Sequence, residues 1–93
     1  MTYKEILRLS EMLTHAHIPH VLERLYDGWK LIYVDADGAC DAVEHFFSYG
    51  HEADRLEIIG LLTDDEERIF GGVMGWLTAE DVFQRIKARH ERG

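Results

Sequence analysis

The chain is poor in the residues that staple, break or punctuate a fold. It has one cysteine, Cys40, so no intrachain disulfide can form, and a reducing cytoplasm is the expected setting. It has one proline, Pro19, and no Ser/Gly-rich tract, which excludes a linker or low-complexity segment and predicts a single domain over residues 1–93. No apolar run approaches the roughly 18 residues needed to cross a bilayer, and the first residues lead into a polar helix rather than a signal peptide. Bases are scarce where acids are dense: Arg55 is the only one between residues 35 and 67, against eleven carboxylates. Residues 1–34 sum to zero, 35–67 to −10 and 68–93 to +2, giving a net charge of −8. A field of that sign repels phosphate and attracts bases. Direct nucleic-acid binding is therefore not expected.

What is present has the period of an α+β domain. Ile6, Leu9, Leu13 and Ala16 recur at helical spacing, flanked by Leu7 and Met12. Thr2 and Glu5 stand at the separation of a capping box, and Pro19 ends this helix near Ala16 or His17. Asp27-Gly28 between two runs of strand formers, 20–26 and 29–34, predicts a hairpin with a two-residue turn. Its two faces are Leu22, Arg24, Tyr26, Trp29, Leu31 and Tyr33, against Val21, Glu23, Leu25, Lys30, Ile32 and Val34. Neither is purely polar, so the buried side stays open.

A turn is expected at 35–38, with further strands over 43–47 and 56–61. The Thr63–Glu66 stretch either caps a short helix closed by Gly71-Gly72 or forms a loop, and residues 73–77 can add a last strand that Gly75 weakens. Thr78 and Asp81 open a final helix with a stripe of Ala79, Val82, Phe83 and Ile86 and cations at its far end. The expected architecture is two-layer α+β, with N- and C-terminal helices packed on an antiparallel sheet of three to five strands in the order α-β-β-β-β-α.

The residues that could carry chemistry do not assemble into a known pattern. His15, His17 and His20 are spaced by two and three across a helix-breaking proline, which does not converge three imidazoles on an ion, and no metal site or cofactor is assigned. Asp35, Asp37, Gly38, Asp41 and Glu44 fall short of a calcium loop, because Gly38 arrives at position 4, Ala39 at 5 and Phe46 at 12. Acidic surroundings dull Cys40 as a nucleophile, and Ser10 and Ser48 lack a nucleophile-elbow setting. Glu44 and Glu57 could form a carboxylate pair on neighbouring strands, but they read as exposed strand residues. Glu80 and Asp81 stand where a double-stranded-RNA-binding domain would need bases.

Interaction is the better expectation. Tyr26, Trp29 and Tyr33 form either a contact surface or the core beneath the helices, and the acidic Asp64, Asp65, Glu66 and Glu67 would face a basic protein partner. Ile18-Pro19-His20, Ser48-Tyr49-Gly50, the 56–63 stretch and above all the 75–83 box Gly-Trp-Leu-Thr-Ala-Glu-Asp-Val-Phe resemble a family of short phage and prophage proteins of gut-dwelling Firmicutes. The resemblance spans nearly the whole chain and implies a cytoplasmic accessory protein without an established activity. It points to Ser48 and Tyr49 and to the 64–67 segment as places to look. The expected role is thus a non-enzymatic acidic interaction module, able to form a homodimer and without membrane contact. The alternative is a small-ligand- or metal-dependent enzyme using the histidines and strand carboxylates.

Overall fold

The computed structural model describes residues 3–36, 38–46, 48, 52 and 55–92. Helix α1 (Lys4–His15) is followed by strands β1 (Val21–Leu25), β2 (Gly28–Asp35), β3 (Gly38–Glu44) and β4 (Leu56–Ile59), then by helix α2 (Asp64–Phe70), strand β5 (Val73–Leu77) and helix α3 (Ala79–Arg92). The five strands form one antiparallel sheet in sequential order, β1 and β5 at its edges. The α+β architecture expected from sequence is the one observed, with the helices α1 and α3 packed on the sheet and on each other.

Helix α1 buries Ile6, Leu9 and Leu13 of the stripe its spacing predicts, while Ala16, the fourth member, is the exposed C-cap. The expected Thr2 cap lies outside the described residues; Tyr3 is the N-cap and contributes no side-chain bond. Glu5 is used elsewhere: its carboxylate accepts from the Ala79 N–H at 2.7 Å, satisfying a free donor at the start of α3. Thr78 and Asp81 cap the same end reciprocally, at 3.1 and 3.2 Å. The two helices are thus joined end to end by a carboxylate as well as by the packing of Val82 and Ile86.

The hairpin differs from expectation by a slide of two residues. Leu25 pairs with Gly28, Arg24 with Trp29 and Leu22 with Leu31, so the loop is Tyr26-Asp27 rather than Asp27-Gly28. Tyr26 takes the positive φ, at 54°, and Gly28 is an ordinary strand residue. What requires a glycine there is space. A Cβ on Gly28 would lie 1.9 Å from the Glu44 carbonyl oxygen and 2.9 Å from the Cα of His45. Asp27 then fastens the loop, accepting from the Phe46 N–H at 2.9 Å and from the Tyr3 hydroxyl.

A slide of two leaves the faces unchanged, and the helices choose between them. Leu31 and Tyr33 are buried with Cys40, Ala42, Leu56 and Ile58, while Val21 and Val34 stay exposed. The small side chains of Cys40 and Ala42 on the central strand leave room for the helices above. At the far edge, Leu56 pairs with Leu77 and Ile58 with Met74, so β5 has one residue more than β4 over that step. The bulge holds Gly75 and Trp76, the latter at φ 64°, and it turns that edge away from regular pairing.

Candidate functional site

The aromatic trio does not form a contact surface. Tyr33 is only 3% exposed, under α3, with its hydroxyl 3.1 Å from His90 Nδ1 and its pKa raised first by burial and then by Asp35. Trp29 packs against the core beneath the Arg24 guanidinium, 4.5 Å from the ring centre. Only Tyr26 remains in solvent, on the hairpin loop, edge-on to the His45 ring at 5.0 Å. Tyr33 and Trp29 lie on the helix-covered face because that is where the apolar stripes of α1 and α3 require partners.

The 64–67 segment is not an open acidic patch either. Thr63 and Glu66 close a capping box at 2.9 and 3.2 Å, and Gly71 ends α2 in the left-handed conformation, so the helical alternative holds. Glu66 also receives both Arg85 nitrogens at 2.7 Å. That pair, ahead of the Thr63 backbone bond, holds its carboxyl at about 2. Asp65 pairs with Arg68. Asp64 and Glu67 are left at the surface. One turn along α3, Arg89 grips Asp35 at 2.7 and 2.8 Å and donates to the carbonyls of Gly60 and Gly38. A groove of about 570 Å³ runs between α3 and the 60–63 loop, lined by Arg85, Arg89 and Arg92; the first two guanidiniums are already engaged by carboxylates and carbonyls, and Arg92 is exposed at the end of α3.

Ser48 is buried and ties a turn, accepting from the His45 N–H at 3.1 Å and donating to its carbonyl at 2.9 Å. Tyr49 lies outside the described residues. Glu44, expected at the surface, is fully buried beside this turn and accepts from the Ile6 N–H at 3.0 Å. Glu44 therefore serves the N-terminus of α1, and the pleat sends Glu57 to the opposite face of the sheet. No acid–base pair can form from them. The same alternation separates Asp41 from Glu44, which removes the remnant of a calcium loop.

The histidines are placed apart as well. His20 Nδ1 lies 2.9 Å from the Ile18 carbonyl, which can only accept, so this nitrogen carries the proton. In the neutral ring its Nε2 then accepts from the Ser10 hydroxyl, 2.8 Å away. A nucleophile and a base thus touch in the right tautomer, but Ser10 lies inside α1 with the backbone donors around it committed to the helix. The pair secures the 16–20 loop. Among the described residues no three His, Cys, Asp or Glu side chains gather where an ion could sit. Cys40 is buried, and its thiol is pushed up to about 11 by that burial.

What sequence reasoning passed over is the other face of the sheet. Neither α1 nor α3 covers it. Reading across the strands, the register places Val21, Ile32, Asp41, Ile59 and Val73 in one row, with Glu23, Lys30, Val43 and Glu57 in the next. Val34 is 65% exposed, Val21 55% and Ile59 45%, whereas Val43 on the middle strand is only 5% exposed and Ile32 is half-buried. The signal was present in the alternation of the hairpin, where Val21, Leu25, Ile32 and Val34 share a side. Asp41 lies at its middle, paired with Lys30 through Oδ2 at 3.9 Å. Among the described residues its Oδ1 is buried without a hydrogen-bond partner, and its pKa is raised by desolvation, with Lys30 opposing.

Among the described residues no helix is long and apolar enough to cross a membrane. No protein-family model, curated protein or solved structure matches this chain.

Proposed function

We propose that this protein is a non-enzymatic interaction module that binds a protein of opposite charge through the uncovered face of its sheet. The observation that carries this reading is the exposure of Val21, Val34 and Ile59 on the face that α1 and α3 leave bare. Five strands at about 4.8 Å and about five residues at about 3.3 Å give roughly 400 Å² of sheet, on which exposed aliphatic side chains alternate with charged ones. Glu23, Asp41 and Glu57 outnumber Lys30 there, so the face has the sign of the whole molecule, which carries −8. Steering and contact then favour the same class of partner. An accessory role of this kind also suits the resemblance to short phage and prophage proteins, whose likeness is strongest over residues 75–83.

The test is calorimetric titration with a synthetic amphipathic helix that has leucines on one face and lysines on the other. Binding is expected in the micromolar range, weakening as salt is raised. The double variant Val34→Asp with Ile59→Asp changes only exposed positions and should abolish it without unfolding the protein. Equal binding by wild type and this variant would remove the face from consideration.

A further inference from the structure

The two edges of the sheet are built differently. At β5 the bulge at Gly75 and Trp76 breaks regular pairing, whereas β1 pairs with β2 without interruption from Val21 to Leu25. Helix α1 lies over β2 and β3 and α3 over β4, and no residue of β1 is buried. Among the described residues no strand pairs with its outer side. The two-residue loop makes Leu25 and Gly28 a hydrogen-bonded pair, so Val21, Glu23 and Leu25 direct their backbone groups to β2. The N–H and C=O of Leu22 and Arg24 therefore point away from the sheet, and alternation puts those of His20 on the same side. Within β1 there is no proline, and the residues that guard it are Glu23 and Arg24. Their charges oppose an added strand only where like meets like.

We infer that β1 pairs antiparallel with β1 of a second copy about a twofold axis at Leu22, joining the two five-stranded sheets edge to edge. A twofold perpendicular to the sheet keeps the helices of both copies on one side, so side chains of like orientation meet. An axis at Glu23 would bring two carboxylates together in a close pair, with about four backbone hydrogen bonds through Leu22 and Arg24. An axis at Arg24 would bring two guanidiniums together. At Leu22, leucine meets leucine, Glu23 lies opposite Val21, and Arg24 lies opposite His20. About six hydrogen bonds then form, through His20, Leu22 and Arg24. The row made by Leu31 and half-buried Leu22 continues into its own counterpart, covering the apolar area that Leu22 shows at the edge. In this one register the pattern of β1 is its own complement, which is why the occupant is a second copy. An edge of about five residues is roughly 17 Å long. It buries far less than the roughly 1,200 Å² of a standard interface, so the dimer is weak, with a Kd of about 100 μM. The pairing sets the uncovered faces of the two copies side by side and does not depend on what they bind.

Sedimentation equilibrium at pH 7.5, from about 10 μM to about 1 mM, should show wild type passing from monomer to dimer. Leu22→Lys sets two ammonium groups against each other at the axis and should stay monomeric throughout. Arg24→Pro deletes an outward N–H that β2 does not use and should weaken the dimer at least about tenfold. Circular dichroism melts establish that each variant is folded. Oxidation of cysteine variants at about 200 μM reads the register. Leu22→Cys should form an interchain disulfide at least about ten times faster than Glu23→Cys, whose Cα atoms would lie about 8 Å apart, beyond disulfide reach. The buried Cys40 stays out of the reaction. Wild type that remains monomeric across the whole range overturns the proposal. A dimer that survives both Leu22→Lys and Arg24→Pro overturns it too, by placing the contact elsewhere. So does Glu23→Cys cross-linking as fast as Leu22→Cys, which denies the axis. Peptide binding by the uncovered face is measured separately, and its failure would leave this pairing standing.

Discussion

Replacing Gly28 by alanine should destabilise this protein through one contact. A Cβ at residue 28 lies 1.9 Å from the Glu44 carbonyl oxygen, whereas a carbon and an oxygen normally rest roughly 3.3 Å apart, so the backbones must separate by about 1.4 Å. Both atoms are held close to main chain, and neither can turn aside as the end of a long side chain would. The displaced end of β3 also carries Glu44, which holds the Ile6 N–H, and leads to Phe46, which holds Asp27. Overpacking of this kind costs about 1–3 kcal/mol, and the loss of aligned hydrogen bonds places the value near the upper end. For a domain of this size that lowers Tm by about 10–20 °C. Differential scanning calorimetry and urea denaturation measure it directly. Gly71 supplies the contrast. It has φ 70°, and a Cβ there would meet nothing within 4 Å, so alanine costs about 1 kcal/mol through its dihedral and asparagine less. If Gly28→Ala melts within about 2 °C of wild type, or Gly28→Asn is tolerated as well as Gly71→Asn, the close-approach reasoning fails.

Arg89→Met should cost about 3 kcal/mol, because it leaves Asp35 without its guanidinium at a site where both side chains are only 13% exposed and also strips a donor from the Gly60 and Gly38 carbonyls. Urea midpoints measure the loss, and a change below about 0.5 kcal/mol would contradict it. Acid should destabilise the fold in a defined window. The folded-state pKa of Glu66 is held at about 2 by Arg85, below its ordinary 4.5, and Asp27 is lowered by Tyr3 and the Phe46 N–H. Stability from Glu66 is therefore present above pH 4.5 and disappears as pH falls towards 2. Glu66→Gln should flatten that limb by about 1 kcal/mol, a value kept small because the pair is partly open to solvent; an unchanged limb in thermal melts from pH 5 to 2 would refute it.

The elements were legible where the physics is local. The stripe of α1 and the reciprocal pair Thr78 and Asp81 depend on residues close along the helix, and sequence shows them; the capping box at Thr63 and Glu66 was one of two readings there, and the structure selects it. Asp27-Gly28 misled for the opposite reason. Its glycine answers to a carbonyl sixteen residues away, and the positive φ falls on Tyr26, a residue that favours no such conformation. The buried side of the hairpin was undecided in sequence because both sides carry Leu, Val or Ile. It is set by Cys40, Ala42 and Ile58 on neighbouring strands, whose alignment no hairpin can reveal. Glu44 read as a surface acid because strand carboxylates generally are, and only the start of α1 beside it explains its burial.

The charge imbalance shows how composition and surface can part. The segment of −10 and the segment of +2 are folded against each other, with Arg85 and Arg89 one turn apart on α3 reaching Glu66 and Asp35. The same guanidiniums donate to the carbonyls of Leu61, Gly60 and Gly38, so α3 holds the β4–α2 loop and the start of β3 through two side chains. Carboxylates engaged in this way fix the helix over the core and are lost to a partner. Asp41 differs because it lies on the face α3 does not reach, where Lys30 answers one oxygen weakly and leaves the other without a hydrogen bond. The excess of −8 can draw a basic protein from a distance, but a net charge selects no geometry.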